Sequence, residues 1–298
     1  MGELNAGDAR KVILDTDIGS DVDDALCLAY LLAQPRCDLL GITTVTGSAR
    51  DRAKLASALC IAAGRPDVPI FPGLERPLIV DAQQTDASQA RSLGPWEHRT
   101  DFPDGEAIEW MRQTIRSHPG EVDLLAIGPL TNVAALFTID PEVPALLRSL
   151  VLMAGEFTTT YMRSIFGPMR EWNVINDPHA AAIVFRDAPT GTRVLGFDVA
   201  GDIVFPTNEV RRRLTSEAVR PIHDWFEADA VFFPDPIAGV ALFRDDLIDY
   251  HPGTIQVDLD SRAQLGATLW SDDPNGRILA GFSIDRDGFL EEYFSAFG

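Results

Sequence analysis

Cysteine, lysine and long apolar runs are what this 298-residue chain has least of. Its three cysteines, Cys27, Cys37 and Cys60, are odd in number, widely spaced and set among apolar residues. That pattern fits buried free thiols better than a disulfide framework or a zinc site. Lys11 and Lys54 are the only lysines, and Lys plus Arg number 25 against 45 Asp plus Glu. The formal charge of −20 argues against nucleic-acid backbones and anionic membranes as partners. No apolar run reaches the roughly 18 residues of a spanning helix. Met1 to Arg10 is short, acidic and without an apolar core, unlike a signal peptide, so a cytoplasmic protein is expected.

What the chain does have is a crowd of carboxylates in one place. Val12, Ile13 and Leu14 form a short apolar run, as in a strand buried on both faces. Asp15, Asp17, Asp21, Asp23 and Asp24 follow, and then the apolar helix sequence from Ala25 to Leu32. A single Asp before a helix is ordinarily a cap. Five repel one another, which raises their pKa values or demands a cation. Gly19 permits the tight backbone such a loop needs. A hard cation such as Ca²⁺ or Mg²⁺ resolves the repulsion most simply.

The rest of the chain alternates strand and helix patterns. Strands are expected over Asp38–Val45, Val68–Phe71, Val122–Ile127, Ser149–Met153, Arg193–Phe197, Ile255–Leu259 and Arg277–Ile284. Helices are expected over Arg50–Ala63, Gly105–His118, from Asn132 to about Thr138, from Asp177-Pro178 to Arg186, from Asp235-Pro236 to Phe243, and over Asp287–Phe297, with helical segments in Thr207–Asp229. Short β-α-β connections imply an open, mostly parallel, Rossmann-like α/β sheet flanked by helices. With 46% hydrophobic residues and no repeat or linker, residues 1–298 read as a single domain. Two irregular stretches interrupt the alternation. Pro72–Asp104 reads as a long loop on the active-site side, and Glu156–Arg170 as a second one.

Two metal-loop patterns can be set against the acidic stretch. An EF-hand loop beginning at Asp15 wants Gly and Glu where Ser20 and Leu26 stand, so it fails. A haloacid-dehalogenase-type phosphatase shares Asp15-Thr16-Asp17 after a strand, but wants a later lysine that neither Lys11 nor Lys54 supplies. The stretch instead resembles the signature of the inosine-uridine nucleoside hydrolase family. There Asp-x-Asp-x-Gly, a short gap and Asp-Asp open the chain; here they are Asp15-Thr16-Asp17-Ile18-Gly19 and Asp23-Asp24, with a gap about two residues longer. Later landmarks resemble the same family in order: Ile127-Gly128-Pro129-Leu130-Thr131-Asn132, Val151–Gly155, Glu171-Trp172-Asn173, Asp177-Pro178 with Ala180-Ala181, and Asp235-Pro236.

The resemblance implies hydrolysis of the N-glycosidic bond of a ribonucleoside to free base and ribose. It implies one Ca²⁺ per chain, an activated water and an oxocarbenium-like transition state. By position, Asp17, Asp24, Asp235 and the Ile127 carbonyl are the expected ligands, with Asp17 also the general base. Asp23, Glu171 and Asn173 are expected on the sugar, and Ser48 stands where members have Asn. Asp15 is expected to hold the loop, and Asp21 competes with Asp23 for its role. Phe232, Phe233 or Trp225 could stack on a base, and His98 or Tyr161 could donate a proton to it. Members are often dimers or tetramers, so a homo-oligomer acting on a small nucleoside is expected. Pro234 stands where many members carry a histidine near the leaving base. That departure keeps open a different class of protein, a non-catalytic Ca²⁺-dependent ribose or nucleoside binder.

Overall fold

The computed structural model describes residues 9–158, 169–201 and 203–298. A nine-stranded sheet runs through it in the order β10-β9-β11-β6-β5-β4-β1-β2-β3. Its strands are β1 (Arg10–Thr16), β2 (Cys37–Thr44), β3 (Ile70–Pro72), β4 (Val122–Ala126), β5 (Ser149–Met153), β6 (Thr192–Leu195), β9 (Ile248–Val257), β10 (Thr268–Asp272) and β11 (Ile278–Ile284). A separate antiparallel pair joins β7 (Val204–Pro206) to β8 (Ala230–Phe232). The first half of the chain supplies helices α1 (Asp23–Ala33), α2 (Ala49–Ala62), α3 (Ala107–Ser117), α4 (Thr131–Ile139) and α5 (Val143–Leu146). The second half supplies α6 (Trp172–Asn176), α7 (Pro178–Asp187), α8 (Phe197–Ala200), α9 (Thr207–Arg213), α10 (Arg220–His223), α11 (Pro234–Ala241) and α12 (Arg286–Ser295).

Strands β3-β2-β1-β4-β5-β6 pair in parallel, and β11 continues them. This is the order of doubly wound sheets, whose ligand crevice opens outside the carboxyl ends of the strands where the winding reverses, here at β1 and β4. The apolar run of β1 shows why both faces are covered. Val12 and Leu14 pack into one core with residues of α1, α2, α11 and α12. Ile13, pointing the other way, joins a second core with α3, α4 and α7. Cys27 and Cys60 are buried free thiols, and Cys37 is half-buried.

The structure corrects several boundaries. The strand expected at Ile255–Leu259 begins earlier, at Ile248, and runs through Pro252-Gly253. Proline normally ends a strand because it lacks an N–H. Here β10 reaches only to Gly253, so Pro252 meets no strand on that side. The strand expected to reach Phe197 stops at Leu195, and Phe197 opens α8 instead. Strands β7, β8 and β10 have no counterpart in the expectations; β7 and β8 have three residues each, too short to show alternation. Trp172–Asn176, expected as a lead-in, is a short helix.

The acidic loop owes its path to one glycine. Gly19 has φ +119°, and a Cβ there would lie 2.5 Å from Leu55 Cδ1 and 3.0 Å from Ala87 Cβ. Both the backbone and the space demand glycine. Replacement by alanine, Gly19→Ala, should destabilise the protein by about 1–3 kcal/mol, read as a lower urea midpoint by circular dichroism. An unchanged midpoint would show that the loop can relax without cost.

Candidate active site

The ends of β1, β4 and β5 and the first turns of α1, α6 and α11 converge on a cavity of about 540 Å³. Asp17, Asp21, Asp23, Asp24 and Asp235 line it, as do Glu171 and Asn173. One carboxylate oxygen each from Asp23, Asp24 and Asp235 lies within 4.8 Å of the other two. Asp17 and Ile127 line the same cavity. The clustering has a simple helical cause. Asp23 and Asp24 occupy the first turn of α1, and Asp235 that of α11, yet none is spent as a cap. Two helix N-termini and their partial positive charges therefore face a common point.

The burial of this group has a large electrostatic consequence. Two full charges 4.8 Å apart repel by about 3 kcal/mol at an effective dielectric of about 20. Burial, and then the charges of Asp21 and Asp17, push the Asp23 carboxyl up to about 8. Burial raises Asp17 to about 6, against the pull of the Arg52 guanidinium. Asp24 and Asp235 are raised well above the ordinary range, first by burial and then by their acidic neighbours. Among the described residues no Lys or Arg forms an ion pair with any of these side chains. An all-oxygen, mutually repelling donor set of this kind fits a hard divalent cation.

A buried arginine holds the loop from beneath. Arg52 is fully buried on α2. Its Nη1 donates to the carbonyls of Asp17 and Ile18 and to Ser20 Oγ, its Nε to Gly47 O, and its Nη2 to Asp86 O. Three loops are thereby tied to one guanidinium. The gap between Gly19 and Asp23 holds Ser20, which also accepts from Gln84 Nε2. Gly128 completes the close packing: a Cβ there would meet both the main-chain N and Oδ1 of Asp17 at 2.8 Å.

The remaining expected residues divide between the cavity and elsewhere. Asp15 is fully buried beneath the site, accepting from Thr43 Oγ1 at 2.5 Å and Asn132 Nδ2 at 2.7 Å. Glu171 is the N-cap of α6, with Oε1 on Asn173 N–H and Oε2 on the N–H groups of Gly155 and Val174. Burial still raises its carboxyl to about 7. Asn173 Nδ2 donates to the carbonyls of Ile127 (2.8 Å) and Met153 (3.0 Å). Both N–H groups of that amide are thus engaged, and Oδ1 is the atom left for another partner.

Four expected residues lie off the cavity wall. Ser48 turns its hydroxyl to Thr85 O at 3.1 Å. Phe233 packs edge-on against Phe205, Phe289 and Tyr293 in the core, because it precedes α11 on the side facing α12. His98 points Nδ1 at Trp96 O, 2.8 Å away, outside the site. Trp225 is buried on a neighbouring, smaller cavity. Tyr161 lies outside the described residues. Phe232, by contrast, lines the main cavity and is 44% exposed. Sequence reasoning gave no role there to Gln84, Trp172 and Phe197, which also line it. Trp172 sits inside the Glu-x-Asn landmark and could have been found; Phe197 needed the strand end at Leu195. Gln84 comes from the long Pro72–Asp104 loop, which also reaches Ile175 O through Gln83 Nε2 and Asp177 Oδ2 through the Leu78 N–H.

A carboxylate cluster in a cavity at the reversal point of a doubly wound sheet is the arrangement of an enzyme that acts on small molecules. The sequence model of the inosine-uridine preferring nucleoside hydrolase family matches residues 12–291, and the chain belongs to that family. It is 29% identical to uridine nucleosidase 1 of Arabidopsis thaliana, over 86% of this chain and 82% of that protein. It is 28% identical to the pyrimidine-specific ribonucleoside hydrolase RihA of Shewanella sp. (strain ANA-3), over 95% of this chain and 94% of that one. In fold it resembles a purine-preferring ribonucleoside hydrolase from Gardnerella vaginalis, with TM-score 0.85 and 24% identity over 97% and 98% of the two chains.

The raised carboxyls make stability pH-dependent with a definite sign. Folded values above the ordinary 3.8 mean that the metal-free folded state binds more protons than the unfolded chain. The stability tied to those protons is complete at low pH and is lost as pH rises through about 6 for Asp17 and about 8 for Asp23. A divalent cation bound among these carboxylates would replace the protons. Added Ca²⁺ should therefore raise Tm more at pH 8 than at pH 5, measured by scanning fluorimetry after chelator treatment and dialysis. Equal shifts at both pH values, or none, would contradict this account.

Proposed function

We propose that the chain hydrolyses the N-glycosidic bond of ribonucleosides, with Asp17 as general base and a Ca²⁺ held by Asp17, Asp24, Asp235 and the Ile127 carbonyl. The observation that carries this reading is the acidic trio of buried Asp24 and Asp235 with half-buried Asp23, lining a cavity large enough for a nucleoside. When bound, the cation supplies positive charge that offsets the carboxylates, orients sugar hydroxyls and makes a water easier to deprotonate.

The chain's own groups do the rest. Asp17, with a carboxyl at about 6, is ionised at neutral pH and accepts the proton of the attacking water. The water oxygen bonds to the anomeric carbon as the carbon–nitrogen bond breaks, and the base leaves with that electron pair and takes up a proton from solvent. The oxocarbenium-like transition state carries positive charge, which the acidic wall favours. Asp23 accepts from a ribose hydroxyl. Asn173 contributes through Oδ1, since both its N–H groups are held by carbonyls. Glu171 has both oxygens on backbone N–H groups and uses its further lone pairs to accept a hydroxyl. Around the base, Trp172, Phe197 and Phe232 offer aromatic surface for stacking. Pro234, which also lines the cavity, has no N–H and no proton to give. That residue is what supports the second reading, a Ca²⁺-dependent nucleoside binder without turnover.

Reducing sugar released from a panel of purine and pyrimidine nucleosides, with and without chelator, separates the two readings. Hydrolysis abolished by chelator and restored by Ca²⁺ is the expected result; tight Ca²⁺-dependent binding without sugar release supports the binder. In the active protein, Asp17→Asn should lower kcat by about 10²-fold or more. Metal content is measured in parallel, because the amide keeps one oxygen donor. Full activity at full metal occupancy would remove Asp17 from the role of base.

A further inference from the structure

The main-chain carbonyls at the end of β1 can be followed one by one, and they lead to a single side chain. Asp15 O accepts the Ile127 N–H at 2.9 Å, and Thr16 O accepts the Val45 N–H at 3.0 Å. Those two bonds go to opposite neighbours, the exits of β4 and β2, as successive carbonyls of a strand do. The pairing of β1 stops there. Asp17 is 4% exposed and Ile18 is fully buried, so their carbonyls need partners inside the protein. Arg52 Nη1 donates to both, at 3.1 Å in the case of Ile18 O. The following carbonyl, Gly19 O, accepts the Gln89 N–H at 3.0 Å. Two successive carbonyls that share one nitrogen mark the point where the chain leaves the strand and turns, and that point is Asp17.

The guanidinium that makes this turn is itself held fast. Nε donates to Gly47 O at 2.9 Å and Nη2 to Asp86 O at 3.1 Å, so two loops outside the acidic stretch fix its plane. Nη1 also reaches Ser20 Oγ at 3.0 Å. Arg52 is fully buried and is not among the residues that line the main cavity. Its bonds to residues 17 and 18 are to main-chain atoms, which leaves the Asp17 carboxylate to other partners. The direction of a side chain follows from its main chain, and a general base must reach its water within hydrogen-bond distance. A lysine at this position keeps the charge but has no planar fork to hold acceptors on several loops at once.

We propose that Arg52 is a positioning residue for Asp17: it turns the chain at the end of β1 so that the Asp17 carboxylate is aimed at the cation and the attacking water. The proposal rests on the nucleoside hydrolase reading of the main cavity. Arg52 acts through Asp17 and leaves the sugar contacts of Asp23, Glu171 and Asn173 in place.

The test measures kcat and KM at saturating Ca²⁺ for the wild type, Arg52→Lys and Arg52→Ala, with the folded fraction taken from circular dichroism. Arg52→Lys should lower kcat by about 10²-fold, the cost of a small misplacement of a reacting group, with little change in KM. Arg52→Ala should lose as much, and added methylguanidinium should restore part of its kcat with saturation, whereas methylamine should not. A residue that only staples the fold would give neither the kcat-against-KM split nor the rescue. Wild-type kcat in Arg52→Lys, or a loss that follows the folded fraction alone, would overturn the proposal. If Arg52→Ala does not fold, Arg52→Lys carries the test, because it keeps a cation in the same place. Should the wild type cleave neither nucleosides nor p-nitrophenyl riboside, the hydrolase reading fails, and Ca²⁺ affinity by calorimetry still decides where Asp17 is held. Arg52→Lys should then weaken Ca²⁺ binding by about 10-fold or more, as loss of a group that orients a ligand does. Unchanged affinity would overturn the positioning role as well.

Discussion

The structure turns on the confinement of like charges. Asp17, Asp24 and Asp235 are almost wholly buried and Asp23 partly so, and the site supplies no ion-pair partner to any of them among the described residues. Burial of an unpaired carboxylate is among the most unfavourable acts a fold can perform. Everything near the cluster makes it tolerable. The N-termini of α1 and α11 point at it, and Arg52 sits under Asp17 with its charge fully enclosed. Thr16 Oγ1 donates to Asp24. These groups lessen the repulsion without removing it, and the proton affinity left over is the measure of what a cation can replace.

That constraint explains features that would otherwise look unrelated. The apolar strands β1, β4 and β5 are rigid and covered on both faces, so their carboxyl ends hold fixed positions for charged loops. Gly128 lets β4's exit approach Asp17 to within a Cβ's reach. Asp15, one residue inside the strand, is held by Thr43 and Asn132, which locks the loop's origin to β2 and α4. Arg52 reaches the carbonyls of residues 17, 18, 47 and 86 from one helix position. A guanidinium is suited to this, with five donors fanned in a plane and a charge it does not lose. In a chain with only two lysines, the arginine beneath the site is the kind of cation that pairs with several oxygens at once.

Much of this was legible in the sequence, and the division follows physical lines. The alternation of strands and helices and the acidic loop were readable because each rests on local chemistry: apolar runs between turn residues, and carboxylates too crowded to be caps. The convergence of Asp235 with Asp23 and Asp24 across more than two hundred residues came through the ordered family landmarks, since no local pattern could give it. The aromatic residues were the weak point. Phe232 and Phe233 are adjacent and chemically identical, yet one faces the cavity and the other the core. Only the three-residue strand β8 and the start of α11 decide which, and neither is visible as periodicity. Ser48 was placed by a single position of the family resemblance; in the structure it has φ 61° and its hydroxyl donates to Thr85 O instead. Arg52 was passed over because a buried arginine looks the same in sequence as an exposed one.

The lining of the main cavity is both acidic and apolar, and the combination bears on how a base could depart. Carboxylates line it together with Phe197, Phe232, Trp172 and Pro234. An apolar wall lowers the local dielectric and strengthens every charge interaction across the cavity. On the hydrolase reading, a cationic sugar ring would be stabilised by the carboxylates, and a base leaving as an anion would be disfavoured twice, by the apolar lining and by those carboxylates. On the hydrolase reading the base therefore departs neutral, taking its proton before the bond is fully broken. Pro234 cannot supply that proton, and its ring extends the apolar surface where a donor would otherwise interrupt it. On that reading, stacking on the aromatic groups would hold the ring in place while its basicity rises with the breaking bond, so that protonation from solvent would become favourable as the bond breaks. A lining that lacks an acid would thus still shape the protonation, by making the anion the worse alternative.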